Sequence, residues 1–168
     1  AAYRKQFAYE SFRSQHASRK KIVLVGSNGG MLHAFDDASG EELWAFIPPN
    51  ILPRLREIIS SQDYETNSIS GVDDTPVVKD IYFDDTPNDG INKKRWRTVL
   101  LSGLGAGGKG FFALDVTDPD KPKHLFAVDH NETDKIITHW AHDESYTSEG
   151  YSGGSISSEM DFRKLGET

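Results

Sequence analysis

The sequence predicts an all-β fold: antiparallel four-stranded blades of a β-propeller, about two of them, with one short helix near residues 52–60. Three observations carry that prediction. Short β-branched and aromatic runs alternate with Gly, Asn and Asp turns, the pattern of strands joined by hairpins. A strand triplet occurs twice, with Ala34-Phe35-Asp36 repeated 79 residues on as Ala113-Leu114-Asp115. The richest glycine stretch, 103-GLGAGGKG-110, runs straight into strand residues and leaves no room for a helix.

Taken in order, 21-KIVLVG-26 is an apolar β-branched run stopped by glycine. The turn 27-SNGG-30 has the residues that tolerate positive φ, and 31-MLHAFD-36 follows with Leu32 and Ala34 on one face and Met31, His33 and Phe35 on the other. After 37-DASGEE-42 a third strand, 43-LWAFIP-48, ends at two prolines. The segment 50-NILPRLREIIS-60 changes period: Pro53 suits a first helical turn, and Leu52, Leu55, Ile58 and Ile59 share a helical face. Residues 61–70 read as a loop. Strands resume at 76–83, 96–102, 111–116 and 124–129, and 76-PVVKDIYF-83 serves as the innermost strand of the second blade. The organisation expected is a lead-in over 1–20, about two blades over 21–129, and a polar loop over 130–168 leading to a further, missing blade.

Composition narrows the function. A net charge of −7 over 168 residues opposes non-specific nucleic-acid binding, which draws on Lys and Arg neutralising phosphates. No apolar run is long enough to span a membrane as a helix, and the opening 1-AAYRKQFAYESFR-13 lacks the apolar core of a signal peptide, so it reads as a processed or excised end. Zero cysteines exclude disulfides and thiolate metal sites. The basic groups Arg19–Lys21 and Lys93–Arg95 each precede a strand and read as solvated flanks.

The glycine stretch contains G-x-G-x-x-G at Gly103, Gly105 and Gly108. A dinucleotide site needs a helix launched from those glycines so that the pyrophosphate meets its N-terminus; here 111-FFALDV-116 and Pro119 forbid one. Nor is it a P-loop, since Lys109 is followed by Gly110. The glycines serve tight turning or close approach to a neighbouring blade. In 84-DDTPNDGIN-92, Asp85 and Asp89 fall at EF-type positions around Gly90 and are weak metal candidates, because Pro87 and Trp96 stand where ligands belong. His33 reads as a packed or hydrogen-bonded strand residue, and His139 with His142 is weak metal evidence. Trp44 and Phe126 occupy equivalent repeat positions and read as core. No Ser/His/Asp arrangement marks a catalytic site.

The phrases 22-IVLVGSNGGMLHAFDDASGEELWAFIP-48 and 97-RTVLLSGLGAGGKGFFALDVTDP-119 resemble the C-terminal β-propeller of the PilY/PilC proteins of bacterial type IV pili, over roughly residues 15–130. The resemblance implies a non-enzymatic pilus-biogenesis factor and surface adhesin that supports pilus extension, twitching motility and attachment. It implies an extracellular place, at the pilus tip or outer membrane. Its partners would be minor pilins and the pilus fibre, a host or abiotic surface, and the rest of its own propeller. No nucleic acid and no membrane span are expected. The family's calcium loop, DxDxDGxxD, is matched nowhere here, so no cofactor is expected in this segment and calcium is left to the full-length protein. The ending 161-DFRKLGET-168 looks like the approach to another blade, as in a truncated portion. The alternative is a propeller of the pyrroloquinoline-quinone dehydrogenase type, which LHAFDDASGEELW is also similar to; such an enzyme needs a carboxylate, a metal site and a stacking platform, and no matching set is present.

Overall fold

The computed structural model describes residues 7–61, 69–83, 94–131, 136–141 and 160–161. A short helix α1 (Tyr9–Gln15) leads into a three-stranded antiparallel sheet, β1 (Ile22–Gly26), β2 (Leu32–Asp36) and β3 (Glu42–Phe46), in that order. A 3-10 turn (Leu52–Arg54) and helix α2 (Leu55–Ser61) follow, with Pro53 in the first turn, where its missing N–H costs nothing. The second sheet is β4 (Val77–Phe83), β5 (Arg95–Gly103), β6 (Phe111–Asp115), β7 (Lys123–Asn131), β8 (Ile136–Ala141) and β9 (Met160–Asp161), antiparallel and in sequence order.

The two sheets repeat each other in register as well as sequence. In the first, β2 pairs Ala34 with Trp44 and carries a bulge between Ala34 and Phe35. In the second, β6 pairs Ala113 with Phe126 and carries its bulge between Ala113 and Leu114. Each bulge precedes an aspartate that closes the next turn: Asp36 Oδ1 accepts the Ala38 N–H at 2.8 Å, and Asp115 Oδ1 accepts the Thr117 N–H at 2.8 Å. An extra residue sharpens local twist, and the aspartate then supplies the turn with an acceptor.

The core lies between the sheets. Leu32 from β2 and Leu100, Phe112 and Leu114 from β5 and β6 are fully buried, and Phe46 of β3 packs its ring 5.6 Å from that of Phe112. Ile51 and Ile58, on either side of the helical turn, close one end of the same cluster. The second sheet exceeds the four strands expected of it. Residues 130–168, expected as polar loop, extend β7 to Asn131 and contribute β8 and β9. Alternation explains why β8 was not foreseen: 136-IITHWA-141 is bracketed by polar sequence that masks its strand character.

Polar ties cross between the sheets. The Trp44 indole N–H donates to the Pro119 carbonyl at 2.8 Å. Trp44→Phe keeps the ring but leaves that buried carbonyl without its indole donor; a loss of about 1–2 kcal/mol is expected, read as a lowered urea midpoint with unchanged m-value. Lys20 Nζ meets Asp120 Oδ1 at 2.7 Å and lies 3.9 Å from Asp36 Oδ2, so a residue read as a solvated flank tethers the turns of both sheets. The hydrogen bond that Lys20 donates to Asp120 raises the Lys20 ammonium above its ordinary range. The N–H groups of Ala38 and then Ser39 hold the Asp36 carboxyl below its ordinary 3.8, with Lys20 adding to the effect. A depressed carboxyl stabilises the fold above its unfolded value and loses that contribution as pH falls through the folded one. Asp36→Asn, which keeps an acceptor but cannot ionise, is therefore expected to flatten this part of the fall in Tm on acidification below about pH 4, measured by thermal melts across that range.

Candidate functional site

The glycine stretch is where the sheets are joined. After β5, Leu104 donates its N–H to Gly110 at 3.0 Å, and Gly105–Gly107 form a single 3-10 turn before the chain passes directly into β6. No helix starts from these glycines. A strap made by residues 70–74 is laid between this loop and the 27-SNGG-30 turn of the first sheet. Its Val72 N–H donates to Ser27 O at 3.0 Å, and its Asp73 N–H donates to Leu104 O at 3.1 Å. One short segment thus bonds to both sheets through consecutive backbone amides.

Such an approach of backbone to backbone requires the absence of side chains. A Cβ on Gly107 would fall on the Gly71 carbonyl, and one on Gly71 would fall on the backbone of Gly30. Arg54 locks the loop from the helical side by donating to the Gly107 carbonyl. The pattern that resembles a phosphate cradle is a packing seam.

The other sequence candidates are scattered. Asp85, Asp89 and His142 lie outside the described residues. His139 sits half-buried on β8, its ring 6.4 Å from that of Phe126. Trp44 and Phe126 take matching places in the two sheets, as the repeat required. Among the described residues no three His, Cys, Asp or Glu side chains are grouped to hold a metal.

His33 is hydrogen-bonded on both ring nitrogens, and in a way that invites comparison with a catalytic triad. Its Nδ1 is 2.7 Å from Glu42 Oε1 and its Nε2 is 3.1 Å from Ser27 Oγ. Sequence reading missed this group because Ser27 and Glu42 flank the histidine across two different turns. The hydroxyl of Ser27 is also 3.2 Å from the Met31 carbonyl, which competes for its single proton. The N–H groups of Ser27 and Gly30 are both engaged within the hairpin, on Met31 O and Ser27 O, so neither can stabilise an oxyanion. The geometry orders the rim of the seam.

Both sheets are apolar on their outward faces too. On β1, Val23 and Val25 alternate with the inward Leu24 and are nearly half exposed. On the second sheet Val77 pairs with Leu101, and Phe111 shares their face; exposures of 54%, 44% and 40% mark a contiguous apolar surface opposite the core. A sheet apolar on both faces is made to lie between two layers, and exposed patches of this kind mark contact surfaces. Antiparallel sheets that repeat a bulge and an aspartate turn and are apolar on both faces define a stacked-sheet protein of the propeller class.

Comparison places the chain within that class. The family described as "PilY1 beta-propeller domain" matches residues 2–154, and this chain belongs to it. Over 119 residues it is 45% identical to a type IV pilus biogenesis factor PilY1 homolog of Xylella fastidiosa, covering 71% of this chain and 9% of that protein. Over 121 residues it is 41% identical to the type IV pilus biogenesis factor PilY1 of Pseudomonas aeruginosa (strain UCBPP-PA14), covering 72% of this chain and 10% of that one. The crystal structure of the Pseudomonas aeruginosa PilY1 C-terminal domain matches with a TM-score of 0.50 at 27% identity, over 91% of this chain and 32% of that structure. The chain thus spans about a tenth of the length of the curated relatives it matches.

Proposed function

We propose that this chain is a non-enzymatic propeller module of a type IV pilus biogenesis factor. On this reading residues 21–129 contribute about two blades, 1–20 form a lead-in, and 130–168 carry the chain onward. The module works outside the cell, at the pilus tip or outer-membrane surface, and supports pilus extension, twitching motility and attachment. Its partners are minor pilins and the pilus fibre, a host or abiotic surface, and the remaining blades of its own propeller. No cofactor is held in this segment, and any calcium belongs elsewhere in the parent protein.

The observation that carries the reading is the family match over residues 2–154, joined to the outward apolar faces at Val23, Val25, Val77 and Leu101. Those faces need a neighbour to exclude water, at roughly 25 cal/mol per Å² of apolar surface covered. The test is a Val77→Asp/Leu101→Asp pair introduced into the parent protein in a piliated bacterium. The expected result is normal secretion with few surface pili and lost twitching. Wild-type piliation and twitching would contradict the reading. Labelling of Ser27 by a fluorophosphonate, or stoichiometric uptake of pyrroloquinoline quinone with calcium, would contradict its non-enzymatic part.

A further inference from the structure

A concave site lies away from the seam, where the segment after α1 passes the β6–β7 turn. It is a cleft of about 420 Å³ lined by Arg19, Arg97, Asp115, Asp118, Lys121 and Lys123. Four fixed cations face two carboxylates there, in a chain whose net charge is −7. Both carboxylates are already engaged. Asp115, its side chain only 7% exposed, lies 3.3 Å from Arg97 Nε and accepts the Thr117 N–H; Asp118 accepts the Asp120 N–H at 3.1 Å.

Of the two carboxylates, only Asp115 is ion-paired among the described residues; Asp118 meets a neutral amide and keeps its charge, so one unpaired carboxylate faces Arg19, Lys121 and Lys123. Arg19 is pinned to the wall by a 2.7 Å hydrogen bond from one terminal nitrogen to Thr98 Oγ1, a neutral acceptor, which fixes its guanidinium without cancelling its charge. Thr98 is held in turn by its own 2.7 Å bond to Asp80 Oδ1, so the guanidinium rests on a built support. Among the described residues, Arg19, Lys121 and Lys123 take part in no ion pair. An anchored arginine and two unpaired lysines around one concavity form a positive focus in an acidic molecule.

We propose that this cleft binds a short acidic peptide segment of a protein partner, with its carboxylates seated against Arg19, Lys121 and Lys123. Separated single charges suit the site better than one compact dianion. The cations share the cleft with Asp115 and Asp118, which repel a doubly charged phosphate about twice as strongly as a carboxylate at the same place. Arg19 offers a planar fork to one carboxylate, while the lysines act as mobile point charges for the next. The site stands apart from the apolar faces used for stacking, so it succeeds or fails independently of the pilus reading.

The test is a titration of the 168-residue chain with acetyl-triglutamate amide, followed by NMR shifts and calorimetry at low salt, with acetyl-triglutamine amide and inorganic phosphate as the other arms. Triglutamate is expected to shift the amides of Thr117, Asp118, Asp120, Lys121 and Lys123 and to bind at least tenfold more tightly than triglutamine. Lys121→Gln/Lys123→Gln, which alters only exposed side chains, is expected to weaken it by about five- to tenfold, the range two surface charge pairs supply at low salt. Lys79→Gln, an exposed lysine on β4, is expected to leave it unchanged. Equal binding of triglutamine, equal weakening by Lys79→Gln, or tighter binding of phosphate than of triglutamate would each overturn the proposal.

Discussion

Gly107→Ala is expected to lower the stability of this chain by about 3–5 kcal/mol, a large fraction of what a domain of this size possesses. The added methyl meets only backbone: the carbonyl and carbonyl carbon of Gly71 and the carbonyl of Ser70. A clashing side chain could rotate away; a backbone already bonded to both sheets cannot. Gly107 does not occupy the left-handed region, so the cost is one of contact alone. Gly40→Ala is the matching control. Gly40 has φ +73 and nothing within 4 Å of a Cβ, so it isolates backbone strain and should cost only about 1–2 kcal/mol. Urea unfolding of both variants separates the two effects.

Phe112→Ala is expected to cost a similar 3–5 kcal/mol. The side chain is fully buried on the inward face of β6 and meets Phe46 from the opposite sheet, so its removal leaves a cavity walled by two rigid sheets. Phe112→Leu, which fills most of that volume, should lose under about 1.5 kcal/mol. If the sheets form one cooperative unit, all these variants shift the urea midpoint without splitting the transition or lowering m. A two-step unfolding curve in Phe112→Ala would show that the sheets fold separately.

The parts of this fold legible in the sequence were those with a local cause. The strands over 22–26, 32–36 and 111–115 follow from alternation and glycine turns, and the helix after Pro53 follows from its change of period. The repeat was legible because each sheet needs the same bulge and the same turn aspartate, Asp36 or Asp115, at the same place. What escaped was set by contacts distant along the chain. Helix α1 is too short to hold itself; Tyr9 anchors it, with a 2.6 Å hydrogen bond to Asp80 and a ring packed 4.5 Å from Trp96. The spacing of Tyr9, Phe12 and His16 was the available signal. The strap at 70–74 carried none, because its role depends on Gly107 and Ser27 on two other turns. The cationic cleft was equally hidden: Arg19 and Lys121 meet only once both sheets are stacked.

Residues 70–74 bind the two sheets into one unit through amides given to both. Backbone hydrogen exchange, resolved by NMR, tests it most directly. The Val72 and Asp73 amides are expected to exchange as slowly as that of Leu114 in β6, and Gly107→Ala is expected to release both together. Exchange of Val72 and Asp73 at the rate of an exposed loop, with Leu114 still protected, would contradict it.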